Sequence, residues 1–217
     1  MTRSAELTAR QHRNLAAAQR VRFITDSIDG TLRDDDFRRY LVIEEAFVLT
    51  AVRILGLVVA ESTSLDDATD HVTSLSNLVG EQREYFAGLR EQFPYDGDVD
   101  ELIESSSVLS NYALGLARKD GRAAALVAMF AAETLYLSWC RAAMDRSVDR
   151  EPALQEWIEM HTRPAFVAQV DALAREVDAM DEVDDATLDA WFVGMLAAEM
   201  EFHDAAITHD SGVDKRH

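Results

Sequence analysis

Cysteine is almost missing from this chain: one in 217 residues, which excludes a disulfide scaffold. Three prolines and nine glycines beside a 48% hydrophobic content exclude collagen-like and low-complexity disordered chains. Positive charge is also scarce. Forty acids oppose 21 basic residues, of which only Lys119 and Lys215 are lysines, for a net charge of −19. A chain so acidic lacks the cationic surface that phosphates demand, which argues against nucleic acid and anionic membranes as partners. The acidity reads as general solubility. The N-terminal MTRSAELTARQHRNLAAAQ interleaves charges with apolar residues and contains no secretory core, so it reads as a mature cytoplasmic start. The most apolar stretch, from Ala123 to Cys140, is about 18 residues long and contains Glu133, Thr134 and Ser138. That composition suits a buried central helix better than a membrane span.

What is present everywhere is helical spacing of apolar residues, with no sustained period-two alternation. The pattern predicts an all-α protein, a single-domain helical bundle over residues 1–209 with a fraying tail at 210–217. Helices are expected at 4–20, 34–60, 64–92, 98–118, 121–147, 151–179 and 185–208. Asp34 is the expected cap of the second, and Ser64 with Asp67 and Asp98 with Glu101 have capping spacing. Corners are expected at Phe93–Gly97, at Asp120-Gly121 and between Asp149 and Pro152, and a kink at His161, just ahead of Pro164.

The informative residues are acids set in apolar helix faces, because an isolated buried charge costs several kcal/mol unless it is paired, protonated or used. Glu44 interrupts RYLVIEEAFVL, Glu133 interrupts AAALVAMFAAETLYLSW and Glu199 interrupts WFVGMLAAEMEF. Each has aromatic neighbours at i±3 or i±4: Tyr40 and Phe47 for Glu44, Phe130 and Tyr136 for Glu133, Phe202 with His203 for Glu199. Acids alternating with aromatic walls would hold a flat, partly polar heterocycle. Any one of these acids could instead cap an internal Arg or Tyr; three together favour a pocket. A di-metal bundle would want Glu-x-x-His pairs, and only Glu199 has histidines nearby, His203 and His209, so no metal is expected. Nor is a cofactor: G-x-S-x-G, P-loop and G-x-G-x-x-G motifs are all absent. His161 stands where backbone groups are freed by the bend, and a partly exposed His beside a bend is the plainer alternative. Cys140, two turns from Glu133, reads as packing. His12, His71 and His217 have no informative company.

The segment FITDSIDGTLRDDDFRRYLVIEEAFVL, with its D-G-T-L turn and spaced Phe37 and Tyr40, resembles the TenA/thiaminase II family (TENA/THI-4/PQQC). The resemblance extends through Tyr112 and FAAETLYLSW to WIEMHTRPAF and LAAEMEF. It implies a fold like haem oxygenase, a homo-oligomer (dimer or tetramer) and a pocket for the pyrimidine half of thiamin. It also places Glu133 where the better-known class carries a nucleophilic Cys. The chain is thus similar to the second class, associated with hydrolytic salvage of aminomethyl- or formylaminomethyl-pyrimidines, and Phe47 and His161 in place of two tyrosines fit that class. Glu199 matches the family's C-terminal catalytic Glu, and Tyr112 a pocket Tyr. Glu44 stands where the family usually has a pyrimidine-binding Asp, one methylene shorter.

Displacing an amine from a pyrimidinylmethyl carbon, or hydrolysing an attached amide, needs a proton for the leaving nitrogen and a base for water. Glu199 and Glu133 are the acid/base candidates. Glu44 is expected to hold the ring's exocyclic amine, Phe47 and Tyr112 to form walls, and His161 and Tyr136 to add polar contacts. Two alternatives remain open at this point: a pyrimidine-binding or regulatory protein without turnover, and a haem-oxygenase-like oxidase using two irons.

Overall fold

The long apolar stretch forms the axis of the molecule. In the computed structural model, which describes residues 1–208, it belongs to a helix running from Ser107 to Met144. Ala124 to Ala128 are buried on consecutive positions, so this helix is enclosed on every side, and its small side chains let neighbouring backbones approach. It is the one described helix long and apolar enough to cross a membrane, and 67% of that apolar window is buried inside the fold.

Every regular element among the described residues is helical: α1 (Arg3–Arg10), α2 (His12–Ala18), α3 (Arg22–Asp29), α4 (Asp34–Ala60), α5 (Leu65–Val79), α6 (Glu81–Gln92), α7 (Val99–Ser105), α8 (Ser107–Met144), α9 (Pro152–Met160), α10 (Pro164–Asp178) and α11 (Asp185–Ala206). Helices α11, α4 and α10 make the main contacts around α8. On α11 the buried residues Leu188, Phe192, Met195, Leu196, Glu199, Phe202, His203 and Ala206 recur every three or four positions. The same 3.6-residue period that builds the core therefore carries Glu199 and His203 inward. On α4, Phe37, Tyr40 and Leu41 set the buried stripe, and Glu44 falls one turn beyond Tyr40 on that face.

The all-α reading holds, with several changes at the joints. The expected helix 4–20 breaks at Gln11, which leaves helical geometry at φ −94°, ψ 10°. The expected helix 64–92 breaks at Gly80, and 98–118 at Ser106. Helix α3 has no counterpart among the expected helices; its eight residues sit in the stretch left unassigned before Asp34, with Phe23 and Ile24 fully buried. The cap of α4 is Arg33, not Asp34. The reason lies at Asp36, whose buried carboxylate accepts from Arg33 Nε at 2.8 Å and from the Thr208 amide at 2.8 Å, so the first turn is stapled to the end of α11. Ser64 and Asp98 do cap their helices, accepting from Asp67 N and Glu101 N.

The Asp120-Gly121 corner is a kink within α8. Gly121 has φ 78° and ψ −163°, a conformation that an L side chain resists, and the next amide, Arg122 N, donates to Glu61 Oε2 at 2.7 Å. At the other expected bend α9 ends at Met160, and Arg163 is extended ahead of Pro164 as a residue preceding proline should be. Near the end of α4, Leu55 and Val58 are buried in the core, while Gly56, Leu57 and Val59 are partly exposed. The tail 210–217 and His209 lie outside the described residues.

Candidate active site

Glu44, Glu133 and Glu199 come from three helices packed on one another, α4, α8 and α11, and their charges act on each other. Glu199 is 2% exposed, whereas Glu44 and Glu133 are half-buried. Loss of water pushes Glu44 up to about 7, opposed by hydrogen bonds from the Tyr40 and Tyr136 hydroxyls. Burial, and then the charge of Glu44, pushes Glu133 up to about 8, against a hydrogen bond from Gln169. Glu199 is held well above the usual carboxylate range, first by burial and then by the charges of Glu44 and Glu133. Near neutral pH Glu133 therefore mostly keeps its proton and Glu44 is divided, while burial and the neighbouring charges favour the protonated form of Glu199.

The surroundings explain why no counter-ion relieves them. Among the described residues no Lys or Arg pairs with these carboxylates; their polar partners are neutral. Gln169 on α10 donates through Nε2 to Glu133 Oε1 at 3.1 Å. Tyr136 Oη lies 2.9 Å from Tyr40 Oη, 3.4 Å from Glu44 Oε2 and 3.4 Å from His203 Nε2. Glu199 Oε2 is buried with no hydrogen-bond partner, and an unmet buried acceptor or acid proton is costly unless a ligand or water meets it.

Aromatic rings flank this network. Phe47 packs on Phe202 with ring centroids 6.0 Å apart. His161, at the end of α9, lies 5.2 Å from Tyr136, 4.5 Å from Trp157 and 4.7 Å from Phe166. Its Nδ1 is 2.7 Å from the Trp157 carbonyl and so donates, leaving Nε2 as an acceptor. Burial brings this imidazole down to about 4, so it is neutral at physiological pH.

Tyr112 stands apart from this hydrogen-bond network. Its hydroxyl donates to the Trp191 carbonyl at 3.4 Å, and its ring lies so close over Gly194 that a Cβ there would overlap it. Both anchors precede Glu199 on α11 by more than a turn, so Tyr112 fixes the N-terminal half of α8 to α11. Cys140 is fully buried, and burial pushes its thiol well above the ordinary range. A protonated, enclosed thiol is neither nucleophile nor ligand.

Three residues of the network were not among the expected site residues. Tyr40 and His203 were visible as helical neighbours of Glu44 and Glu199, but nothing marked them as joined through Tyr136. Gln169 carries no signal in the sequence, since only the packing of α10 on α8 brings it to Glu133. A second group lies elsewhere: Asp67, His71 and Glu176 hold ligand atoms within 4.8 Å of one another. His71 therefore has company that the sequence did not reveal. The guanidinium of Arg122 already serves that group, bonding Asp67 at 2.5 Å and Glu176 at 3.2 Å. Two open clefts, of about 440 and 350 Å³, follow the corner from Val148 to Pro152 and share no residue with the acid cluster. Arg150, which lines both, spends its guanidinium on the Ser27, Ile28 and Ala143 carbonyls. The clefts are therefore weaker ligand seats than the unpaired acids.

Comparison with known proteins agrees with this architecture. Residues 22–208 match the TENA/THI-4/PQQC family. A TenA homologue from Pyrococcus furiosus superimposes with a TM-score of 0.81 at 20% identity, over 94% of this chain and 100% of that one. A protein of Silicibacter described as a TenA family transcription regulator gives 0.79 at 16% identity, over 93% and 95%. One from Sulfolobus solfataricus described as a TenA-like thiaminase gives 0.70 at 20%, over 93% and 94%. At such identities the likeness establishes the fold. No curated protein matches the sequence.

Proposed function

Because the chain belongs to the TENA/THI-4/PQQC family, we propose that it is a thiamin-salvage hydrolase acting on an aminomethyl- or formylaminomethyl-pyrimidine. The observation that carries this reading is the buried Glu199 carboxyl, its Oε2 without a hydrogen-bond partner, in a cluster of three acids that no cation among the described residues pairs. Such a cluster is stabilised by a ligand that brings N–H donors or positive charge. An aminopyrimidine brings both, with a flat ring for the Phe47 and His161 walls.

The roles follow from the proton inventory. Glu44, the acid that ionises most readily, receives the exocyclic amine. Glu133, its value lowered by the bound N–H donors, takes a proton from water, whose oxygen bonds to the carbon bearing the leaving nitrogen. That C–N bond breaks, and the nitrogen takes the proton of Glu199. Glu133 then returns its proton to Glu199 through solvent, so the cycle consumes one water and releases one amine. His161 Nε2 adds an acceptor at the rim of the ring, Tyr136 stays bonded within the protein network, and Tyr112 holds α8 in register from outside.

A carboxylate at position 133 is a poorer nucleophile towards an electron-poor ring than a thiolate, so thiamin itself should turn over slowly. Steady-state hydrolysis of an aminomethyl-pyrimidine, its formylated form and thiamin, side by side, tests this. Pyrimidine hydrolysis that exceeds thiamin cleavage and persists in Cys140→Ser supports the reading. Thiamin cleavage that is faster, and lost in Cys140→Ser, overturns it. Ligand-dependent thermal stabilisation without turnover would favour the binding protein suggested by the description of the Silicibacter relative. The active form is proposed to be a homo-oligomer, and a 24 kDa species in light scattering at micromolar concentration would count against that.

A further inference from the structure

His203 has no part in the chemistry above, yet it is fully buried one turn from Glu199, where a neutral polar ring has to be justified by what it bonds. Its Nδ1 lies 2.7 Å from the Glu199 backbone oxygen, which can only accept. Nδ1 therefore carries the hydrogen, and in the neutral ring Nε2 carries the lone pair. The ring is clamped by Phe23 at 5.3 Å and by Tyr40, stacked at 6.0 Å with planes 10° apart, so the tautomer is set by the fold. The lone pair points to Tyr136 Oη at 3.4 Å, and Glu44 Oε2 is at the same distance from that hydroxyl. Tyr136 has one proton for these two, and the Tyr40 oxygen, 2.9 Å away, competes for it.

We propose that His203 is a positioning residue and that, with Tyr136, it forms a two-position hydroxyl switch: Tyr136 donates to Glu44 while that carboxylate is charged and free, and to His203 Nε2 once Glu44 is protonated or its charge is taken up by a ligand N–H. The proposal shares its acid cluster with the hydrolase reading and adds a coupling to it. Only rotation of the Tyr136 O–H is involved, and no covalent bond changes. Donation to Nε2 polarises the imidazole and strengthens its Nδ1–H bond to the Glu199 carbonyl. Occupancy at Glu44 thereby firms the helix turn that carries Glu199.

Other polar groups face the switch and compete for its proton. From α4 come the Tyr40 hydroxyl and Glu44, from α8 Tyr136 with Glu133 nearby, and from α11 Glu199, whose Oε2 is 3.8 Å from Nδ1. Helix α3 contributes the Phe23 ring and α9 the rings of Trp157 and His161. The hydroxyls of Tyr40 and Tyr136 stay protonated at any physiological pH, since burial, and then the charge of Glu44, holds both well above their ordinary value. Burial brings His203 down to about 4, so the ring stays neutral while Glu44 titrates.

The test is nitrogen-15 NMR of the histidine rings in the full, ligand-free chain between pH 5.5 and 8.5, with His203→Phe used to assign the signal. The switch predicts an Nδ1–H tautomer throughout and an Nε2 resonance that moves as Glu44 ionises. Both Glu44→Gln and Tyr136→Phe should abolish the movement, so either suffices if the other fails to fold. An Nε2–H tautomer, or an Nε2 resonance fixed across this range in the unsubstituted chain, overturns the proposal. In kinetics, His203→Phe should leave Tyr136 on Glu44 and move the acid limb of kcat/KM down by ~0.5–1 pH unit, while His203→Gln, which keeps an acceptor, should restore it. A limb that stays in place in His203→Phe also overturns it. The NMR measurement needs no turnover, so a moving resonance without hydrolysis would reject the hydrolase reading alone.

Discussion

Two groups of acids lie in this molecule, and they differ in one respect. Asp67 and Glu176 face His71, 3.3 Å from Glu176, and have Arg122 between them, bonded to both. Glu44, Glu133 and Glu199 have hydroxyls, an amide and imidazoles around them and, among the described residues, no guanidinium. The first arrangement has its cation: through Arg122 it ties α5 and α10 to the residue that follows the Gly121 kink. The second contains an unsatisfied carboxyl and three acids pushed to different heights. Clustered acids alone therefore say little. What marks a site is acids that the fold itself leaves uncompensated.

The widest separation between the two groups should appear in turnover. Glu199→Gln keeps the shape and removes the proton donor, so hydrolysis should fall by ~10²–10⁴ while ligand-dependent thermal stabilisation is retained. Equal loss of binding and turnover would show that Glu199 holds the ligand instead. Next comes Arg122→Met, which leaves Asp67 and Glu176 facing each other without their cation. Arg122 is partly exposed, at 20%, so solvent screens some of the loss and about 1–3 kcal/mol of stability is expected in denaturant titration, with kcat unchanged. A variant of unchanged stability would mean that the first group is no clamp.

These two groups also show what the sequence could and could not reveal. Glu44, Glu133 and Glu199 were legible because each violates a 3.6-residue apolar pattern, and that violation is local. The bends at Gly121 and before Pro164 were legible for the same reason, as they depend on residues adjacent in sequence. His71 was not: its partner Glu176 lies 105 residues away, on a helix whose position is set by tertiary packing. Gln169 and the link from Tyr136 to His203 are hidden likewise, because a polar residue on a helix looks the same whether its partner is water or a buried acid. Helix α3 is not legible, since its eight residues fall below the length at which periodicity can be counted. The break at Gln11 has no proline or glycine to announce it.

The smallest effect, and the one that sharpens the comparison most, is the dependence of stability on pH. A carboxyl whose folded value lies above its unfolded one binds a proton more tightly when folded, so it contributes fully below about 4.5 and the contribution is lost as pH rises through the folded value, about 7 for Glu44. His161 and His203 act in the opposite sense: brought down to about 4, they favour the folded state above 6.5 and lose that contribution as pH falls. Between 4.5 and 6.5 the two slopes oppose each other, and above that window only the acids still titrate. Stability of the ligand-free protein should therefore decline from pH 6.5 to 8.5. Glu44→Gln removes one ionisation without altering the bulk of the side chain. It should raise stability at pH 8 by roughly 2 kcal/mol, less than the full shift because Glu44 is only half-buried, and leave it nearly unchanged at pH 5. The same substitution should weaken ligand binding, since it removes the charge that receives the ring amine. Urea titrations at both pH values, with and without an aminopyrimidine, measure the two effects together. A Glu44→Gln variant that is no more stable than the unsubstituted chain at pH 8 would mean that Glu44 is compensated as fully as Asp67 and Glu176, and the distinction between the two groups would disappear.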